Sequence, residues 1–288
     1  MSLPAVNVVA ANVASQPLAS CDLYTNQSKT IAWIPVFING KGPFNLVVDT
    51  GADCLALSPT VLDAVHLQGS SDQAVTDASG NRGVVQKCFI ANVQIGNLTL
   101  NNMTASVTAN LGHGIDGFIG SPLFLTYAVQ FDFVNGKLNI YNPSDIRFDP
   151  KHSTGMKIGM DIYRTPIVSA TVDGNPTIGY IDTGCGVPLK AASLWIKSVV
   201  CKDPIHQTAI GGNTMLGRFE GDTYDVQNFT IGDQKLLTAR PITALVTRDL
   251  KDDTQGFGVR IGLWMFKDFT TTIIYPRLAI VLTSPTRN

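Results

Sequence analysis

Two stretches of this chain place the same three residue types at the end of an apolar run. They are FNLVVDTGADCLAL, with Asp49, Thr50 and Gly51, and TIGYIDTGCGVPLK, with Asp182, Thr183 and Gly184. A glycine here lets the backbone turn sharply and approach another chain closely. A threonine hydroxyl both donates and accepts a hydrogen bond. If an approximate two-fold axis relates the loops, Asp49 and Asp182 meet. Two adjacent carboxylates cannot both ionise easily, so they share one proton. One then serves as base toward a water and the other as acid toward a carbonyl oxygen. That chemistry hydrolyses a peptide bond with no metal, no cofactor and no covalent intermediate.

The elements that must position these acids are themselves repeated. Asp182 follows Asp49 by 133 residues (182 − 49), and at that shift the flanks agree in order. IPVFINGKGPFNLVVDTG falls on TPIVSATVDGNPTIGYIDTG, each a strand, a turn with Asn-Gly or Asp-Gly, and a strand ending at the acid. This is the pattern of a β-hairpin. Downstream, SPTVLDAVHL and KAASLWIKSVV each suit a short helix. Glycine-bearing polar tips follow, TDASGNRG and TAIGGNTMLG, each expected to cap a long hairpin. Then come a strand, an Ile-Gly turn and a strand in each half, and finally DGFIGSPLF against VRIGLWMF, each with a short helical turn and two more strands.

The fold expected is all-β, with two pseudo-symmetric lobes and a cleft between them. The lobes are expected at residues 28–145 and 156–288, joined by a polar stretch carrying Pro143 and Pro150. Residues 1–27 form an N-terminal extension able to supply an interface strand through VNVVA. The strands KLNIY and RLAIVL are expected to pair across the lobes.

VVDTGA and YIDTGC resemble the active-site loops of aspartic proteases, and DGFIGSPLF and VRIGLWMF resemble that family's hydrophobic-hydrophobic-Gly signature. The order of features is most similar to retropepsin-like domains, two of them fused in one chain as in bilobal pepsin-like enzymes. The resemblance covers roughly residues 28–141 and 160–282. It implies a catalytic pair of Asp49 and Asp182, with Thr50 and Thr183 hydrogen-bonded across the pseudo-dyad. Gly51 and Gly184 would make the tight turns, and Ile119-Gly120 and Ile261-Gly262 would brace them from beneath. Ser79, Gly80, Gly211 and Gly212 would be flap tips over a peptide or protein substrate. A complete site in one chain implies a monomer. The sequence departs from the pepsin-like pattern in two ways. Neither tip carries a tyrosine, and Ala52 and Cys185 stand where Ser or Thr commonly follows the motif.

Composition narrows the alternatives. Charged residues are 15% of the chain and the formal net charge is −1, so nothing attracts nucleic acid or an anionic membrane. The uncharged first 21 residues contain Asn7, Asn12, Ser15, Gln16 and Pro17, which do not suit a membrane span. Low charge and four N-x-S/T sites favour export, periplasmic or secreted. The five cysteines (Cys21, Cys54, Cys88, Cys185, Cys201) include no C-x-x-C, and their pairing is open. Four scattered histidines lack metal-binding spacing, so no metal is expected. GHGIDG matches a dinucleotide fingerprint, but the following turn and strand read as a glycine-rich loop. The principal alternative is a non-catalytic peptide-binding or inhibitor-like relative of the same fold.

Overall fold

The computed structural model describes residues 15–77, 80–109, 111–191, 206–232, 234–235, 242–247 and 258–284. The first lobe is an eight-stranded sheet. Its order is Tyr24–Thr25, Ala32–Ile38, Lys41–Val48, Gly117–Ile119, Leu55–Leu57, Leu98–Val107, Arg82–Ile95 and Ser71–Thr76. Ala32–Ile38 also pairs with Arg82–Ile95, so the sheet curls back on itself like a barrel. Ala32–Ile38 alternates buried and less buried residues, as a strand with one face on a core must. The helix Pro59–Ala64 starts where SPTVLDAVHL predicts. The Ser58 hydroxyl caps it by accepting from Val61 N at 3.3 Å, and Pro59 occupies the first turn. The corresponding segment of the second half, residues 192–200, lies outside the described residues.

The second lobe repeats this plan in a ten-stranded sheet. Its hairpin is Pro166–Val172 and Asn175–Asp182. Asn175–Asp182 runs parallel to Gly258–Gly262, as Lys41–Val48 runs parallel to Gly117–Ile119. Leu189–Ala191 lies antiparallel to Gly258–Gly262, as Leu55–Leu57 does to Gly117–Ile119. Register shows the equivalence residue by residue: Val48 faces Ile119 in one lobe, and Ile181 faces Ile261 in the other.

A six-stranded sheet joins the lobes, in the order Ala19–Asp22, Lys137–Tyr141, Ala128–Asp132, Thr270–Ile274, Ala279–Thr283 and Ser153–Lys157. KLNIY and RLAIVL both contribute strands, but they do not pair with each other. The crossing is between Ala128–Asp132 and Thr270–Ile274. These strands come after the short helical turns at Ser121–Phe124 and Leu263–Phe266. The N-terminal strand in this sheet is Ala19–Asp22, paired with Lys137–Tyr141. Val6–Ala10 lies outside the described residues. One apolar cluster runs through both lobes, from Ile34 and Phe124 to Ile261 and Phe266.

Candidate active site

Asp49 follows the last residue of Lys41–Val48, and its N–H donates to Ile119 O at 3.0 Å. Asp182 ends Asn175–Asp182. Each acid sits where a buried strand gives way to a turn. The Asp49 carboxylate accepts from Gly51 N at 2.8 Å, and that of Asp182 from Gly184 N at 3.1 Å. The two carboxyl groups are packed against each other's loops. A Cβ added at Gly51 would lie 2.5 Å from Asp182 Cγ, and one at Gly184 would overlap the Asp49 carboxyl. The closeness of the acids therefore requires glycine at both positions.

Thr50 and Thr183 lock the loops to one another. Thr50 N donates to Thr183 Oγ1 at 2.9 Å, and Thr183 N donates to Thr50 Oγ1 at 3.0 Å. Each hydroxyl in turn donates across the axis to the carbonyl preceding the opposite acid. Thr50 reaches Ile181 O at 2.7 Å, and Thr183 reaches Val48 O at 2.6 Å. Both threonines are buried. Buried polar groups need partners, and here each hydroxyl satisfies two backbone groups of the other lobe.

The Ile-Gly pairs lie against these loops. Ile119 and Ile261 are fully buried. Gly120 N donates to Cys54 O at 3.1 Å and Ser121 N to Ala52 O at 2.8 Å. Gly262 N donates to Pro188 O at 2.9 Å. A Cβ at Gly120 would run into Ala52 O, and one at Gly262 into Val187 O.

The two acids have different neighbours. Asp49 is held well above the ordinary carboxylate range, first by burial and then by the charge of Asp182. Asp182 instead meets a cation that sequence reasoning did not single out. Arg260 Nη1 donates to Asp182 Oδ2 at 2.8 Å, with both side chains buried. The signal was present in the sequence as a charged residue in VRIG where the first half has the apolar GFIG. Beside the second acid, burial and then Asp182 push the Cys185 thiol up to about 12, which leaves it protonated and unsuited to act as a nucleophile.

The first glycine-bearing tip caps the hairpin of Ser71–Thr76 and Arg82–Ile95, in which no residue of the outer strand is buried. Its turn is built on Asp77, whose carboxylate accepts from Asn81 N at 2.9 Å and Asn81 Nδ2 at 3.1 Å. Gly80 lies in this turn with φ of +75°, and Ser79 falls outside the described residues. The second tip differs from expectation. Gly211 and Gly212 lie within the strand His206–Asn213, opposite Glu220 and Phe219, and the chain turns at Thr214–Gly217. The Thr214 side chain fixes that turn: its hydroxyl accepts from Gly217 N at 3.2 Å, and Thr214 N donates to Gly217 O at 2.8 Å. Side-chain capping, rather than backbone permissiveness, sets its position.

The two tips touch. Asp77 Oδ2 accepts from Thr214 Oγ1 at 2.5 Å and from Leu216 N at 3.3 Å. Thr108 Oγ1 donates to Met215 O at 2.9 Å. Leu216 rests on Gly83, where an added Cβ would come within 3.0 Å of Leu216 Cδ2.

The remaining motifs serve the scaffold. GHGIDG forms a loop holding the first hairpin, with Asp116 Oδ2 accepting from Asn45 N at 2.8 Å and Gly114 O accepting from Asn45 Nδ2 at 3.1 Å. Cys21, Cys54, Cys88 and Cys185 are free thiols, and Cys201 lies outside the described residues. Among the described residues, no group of three or more His, Cys, Asp and Glu side chains is placed to hold a metal ion. No helix among them is long and apolar enough to cross a membrane.

Residues 34–123, which include the Asp49 loop and Ile119-Gly120, match the sequence family described as aspartyl protease. The fold is similar to the crystal structure of the aspartic proteinase from Irpex lacteus. Sequence identity is 16% and the TM-score 0.59, over 93% of this chain and 97% of that one. No curated protein matches the sequence.

Proposed function

We propose that this chain, which has the fold of the aspartic proteases and their sequence pattern over residues 34–123, is an aspartic endopeptidase acting through Asp49 and Asp182. The observation that carries this reading is the crossed hydrogen bonding of Thr50 and Thr183, which ties together the two loops that carry the acids. In the reaction, one carboxylate takes a proton from a water as the water oxygen bonds to the peptide carbonyl carbon. The other carboxyl gives its proton to the carbonyl oxygen, whose π electrons receive it, and a gem-diol forms. On collapse, the first acid delivers its proton to the amide nitrogen as the C–N bond breaks. The second acid recovers a proton from one hydroxyl, and the dyad is restored.

In the same reading, residues 28–145 and 156–288 are the two lobes, each supplying one acid, and the active unit is a monomer. The flap tips at Asp77–Asn81 and Thr214–Gly217 close over an extended peptide. Cleavage of a mixed peptide library tests the proposal. Asp49→Asn and Asp182→Asn are each expected to reduce cleavage to background while leaving the fold intact, and a chelator is expected to have no effect. Near-native turnover by either variant sinks the shared-water mechanism.

A second reading has one observation in its favour. Arg260 already occupies an acceptor of Asp182, which suits a fold that holds a peptide without cutting it. Tight binding of library peptides without cleavage, undiminished in Asp49→Asn, would select that reading.

A further inference from the structure

The two lobes differ at one place beside the acids. The strand under Asp49 carries Phe118, paired with Val47 and Ala56. The strand under Asp182 carries Arg260 at the equivalent position, paired with Tyr180 and Lys190. An aromatic ring in one lobe is thus replaced by a guanidinium in the other. Arg260 Nη1 lies 2.8 Å from Asp182 Oδ2, and the two side chains are 7% and 8% exposed. Charge-assisted hydrogen bonds are stronger than neutral ones, and a water-poor setting strengthens them further. Asp182 Oδ1 also accepts from Gly184 N, so the second acid has two donors and one is cationic. Asp49 receives Gly51 N, and the residue after its motif is Ala52, whose side chain has nothing to donate.

We infer that Arg260 breaks the symmetry of the dyad: for the hydrolysis proposed above, on which this inference rests, it is the positioning residue that keeps the single negative charge on Asp182. Asp182 is then the base toward water, and Asp49 carries the proton given to the carbonyl oxygen. Arg260 supplies a donor from a neighbouring strand at the acid whose following residues include Cys185, at best a weak donor.

The neighbouring thiols and phenol do not reverse this assignment: burial, then the charge of Asp53, pushes the Cys54 thiol up to about 12, so it stays neutral beside Asp49. Lys190 is paired with Arg260 from Leu189–Ala191, on the same face of the sheet. Cys185 is kept neutral by burial and by Asp182. Tyr275, packed on Phe124, has its phenol pushed up by burial, then by Asp49, Asp161 and Asp182, and is also neutral. Tyr180 lies beside Arg260 on the strand that ends at Asp182. Asp49, the remaining acid, is pushed toward its neutral form chiefly by burial and then by Asp182.

The test is the pH profile of kcat/KM for the full chain and two variants. Arg260→Met removes the charge but keeps an apolar chain, which the strand accepts in the first lobe as Phe118. Arg260→Lys keeps a cation. Arg260→Met is expected to move the acid limb up by about one to three pH units, the usual effect of an arginine beside a carboxylate, and Arg260→Lys to restore part of that. An unmoved acid limb in Arg260→Met overturns the inference. A second measurement needs neither activity nor a folded Arg260→Met. In native protein labelled with 13C-aspartate, carboxyl signals assigned with Asp49→Asn and Asp182→Asn are followed against pH. Asp182 ionising before Asp49 supports the assignment; the reverse order, or equal sharing, overturns it. A protein that cleaves nothing yet ionises in the expected order loses the hydrolase proposal, and with it the base and acid roles, and keeps only the placement of the charge on Asp182.

Discussion

Thr50→Val keeps the shape of the side chain and deletes one hydroxyl at the centre of the lobe contact. Two hydrogen bonds go with it: the one given to Ile181 O at 2.7 Å and the one received from Thr183 N at 3.0 Å. Both orphaned groups are buried, since Ile181 and Thr183 are at most 1% exposed. Leaving a buried donor or acceptor unsatisfied costs about 1–3 kcal/mol, so the two together cost about 2–6 kcal/mol. Against a typical total of about 5–15 kcal/mol, that is a large share. Thr50→Ser retains both bonds and loses a methyl group, a change of about 1 kcal/mol. Urea unfolding followed by tryptophan fluorescence compares the two. The Val variant is expected to unfold at much lower urea and the Ser variant near native. Adding Thr183→Val removes the other two bonds of the set, and the double variant is expected to lose less than the sum of the singles. The first deletion already opens the contact to water, and neighbouring groups that share partners are not additive. If Thr50→Val costs no more than Thr50→Ser, the crossed hydrogen bonds do not hold the lobes together, and the reasoning from burial fails.

Three further outcomes follow from the same geometry. The raised Asp49 makes the native state hold a proton that the unfolded chain releases above about pH 4, so its contribution to stability is full below that pH and is lost as pH rises toward the folded-state value. Thermal melts across pH are therefore expected to show a decline in the native protein that is absent from Asp49→Asn; equal slopes refute this. Gly51→Ala places a Cβ 2.5 Å from Asp182 Cγ, so it is expected to force the acids apart and abolish peptide cleavage, and near-native kcat in that variant counts against the close packing of the dyad. Asp77→Ala removes the acceptor shared by Asn81, Thr214 and Leu216, and steady-state kinetics are expected to show KM raised about five- to tenfold, the worth of roughly one hydrogen bond, with kcat little changed; a fall confined to kcat excludes a role in closing the flaps.

The sequence determined what is written in local alternation and spacing. The two hairpins ending in Asp49 and Asp182 follow from runs of period two around Asn-Gly and Asp-Gly turns. The helix Pro59–Ala64 follows from a serine cap and a first-turn proline. The near-equal order of features before and after residue 145 foretold two lobes of one plan. These features depend on a few consecutive residues, so they are legible without knowing which distant strands meet. Tertiary structure decided the rest. The interface sheet crosses at Ala128–Asp132 and Thr270–Ile274, the strands that come after the short helical turns Ser121–Phe124 and Leu263–Phe266, and not between KLNIY and RLAIVL. The second hairpin turns at Thr214–Gly217, where a threonine side chain closes it, although Gly211 and Gly212 are the more permissive residues. Arg260 stands 78 residues from Asp182, and Thr214 stands 137 from Asp77. No local pattern couples residues so far apart. A buried charge finds its partner only when folding brings both out of water, and the energy of that pairing exists only in the assembled lobes.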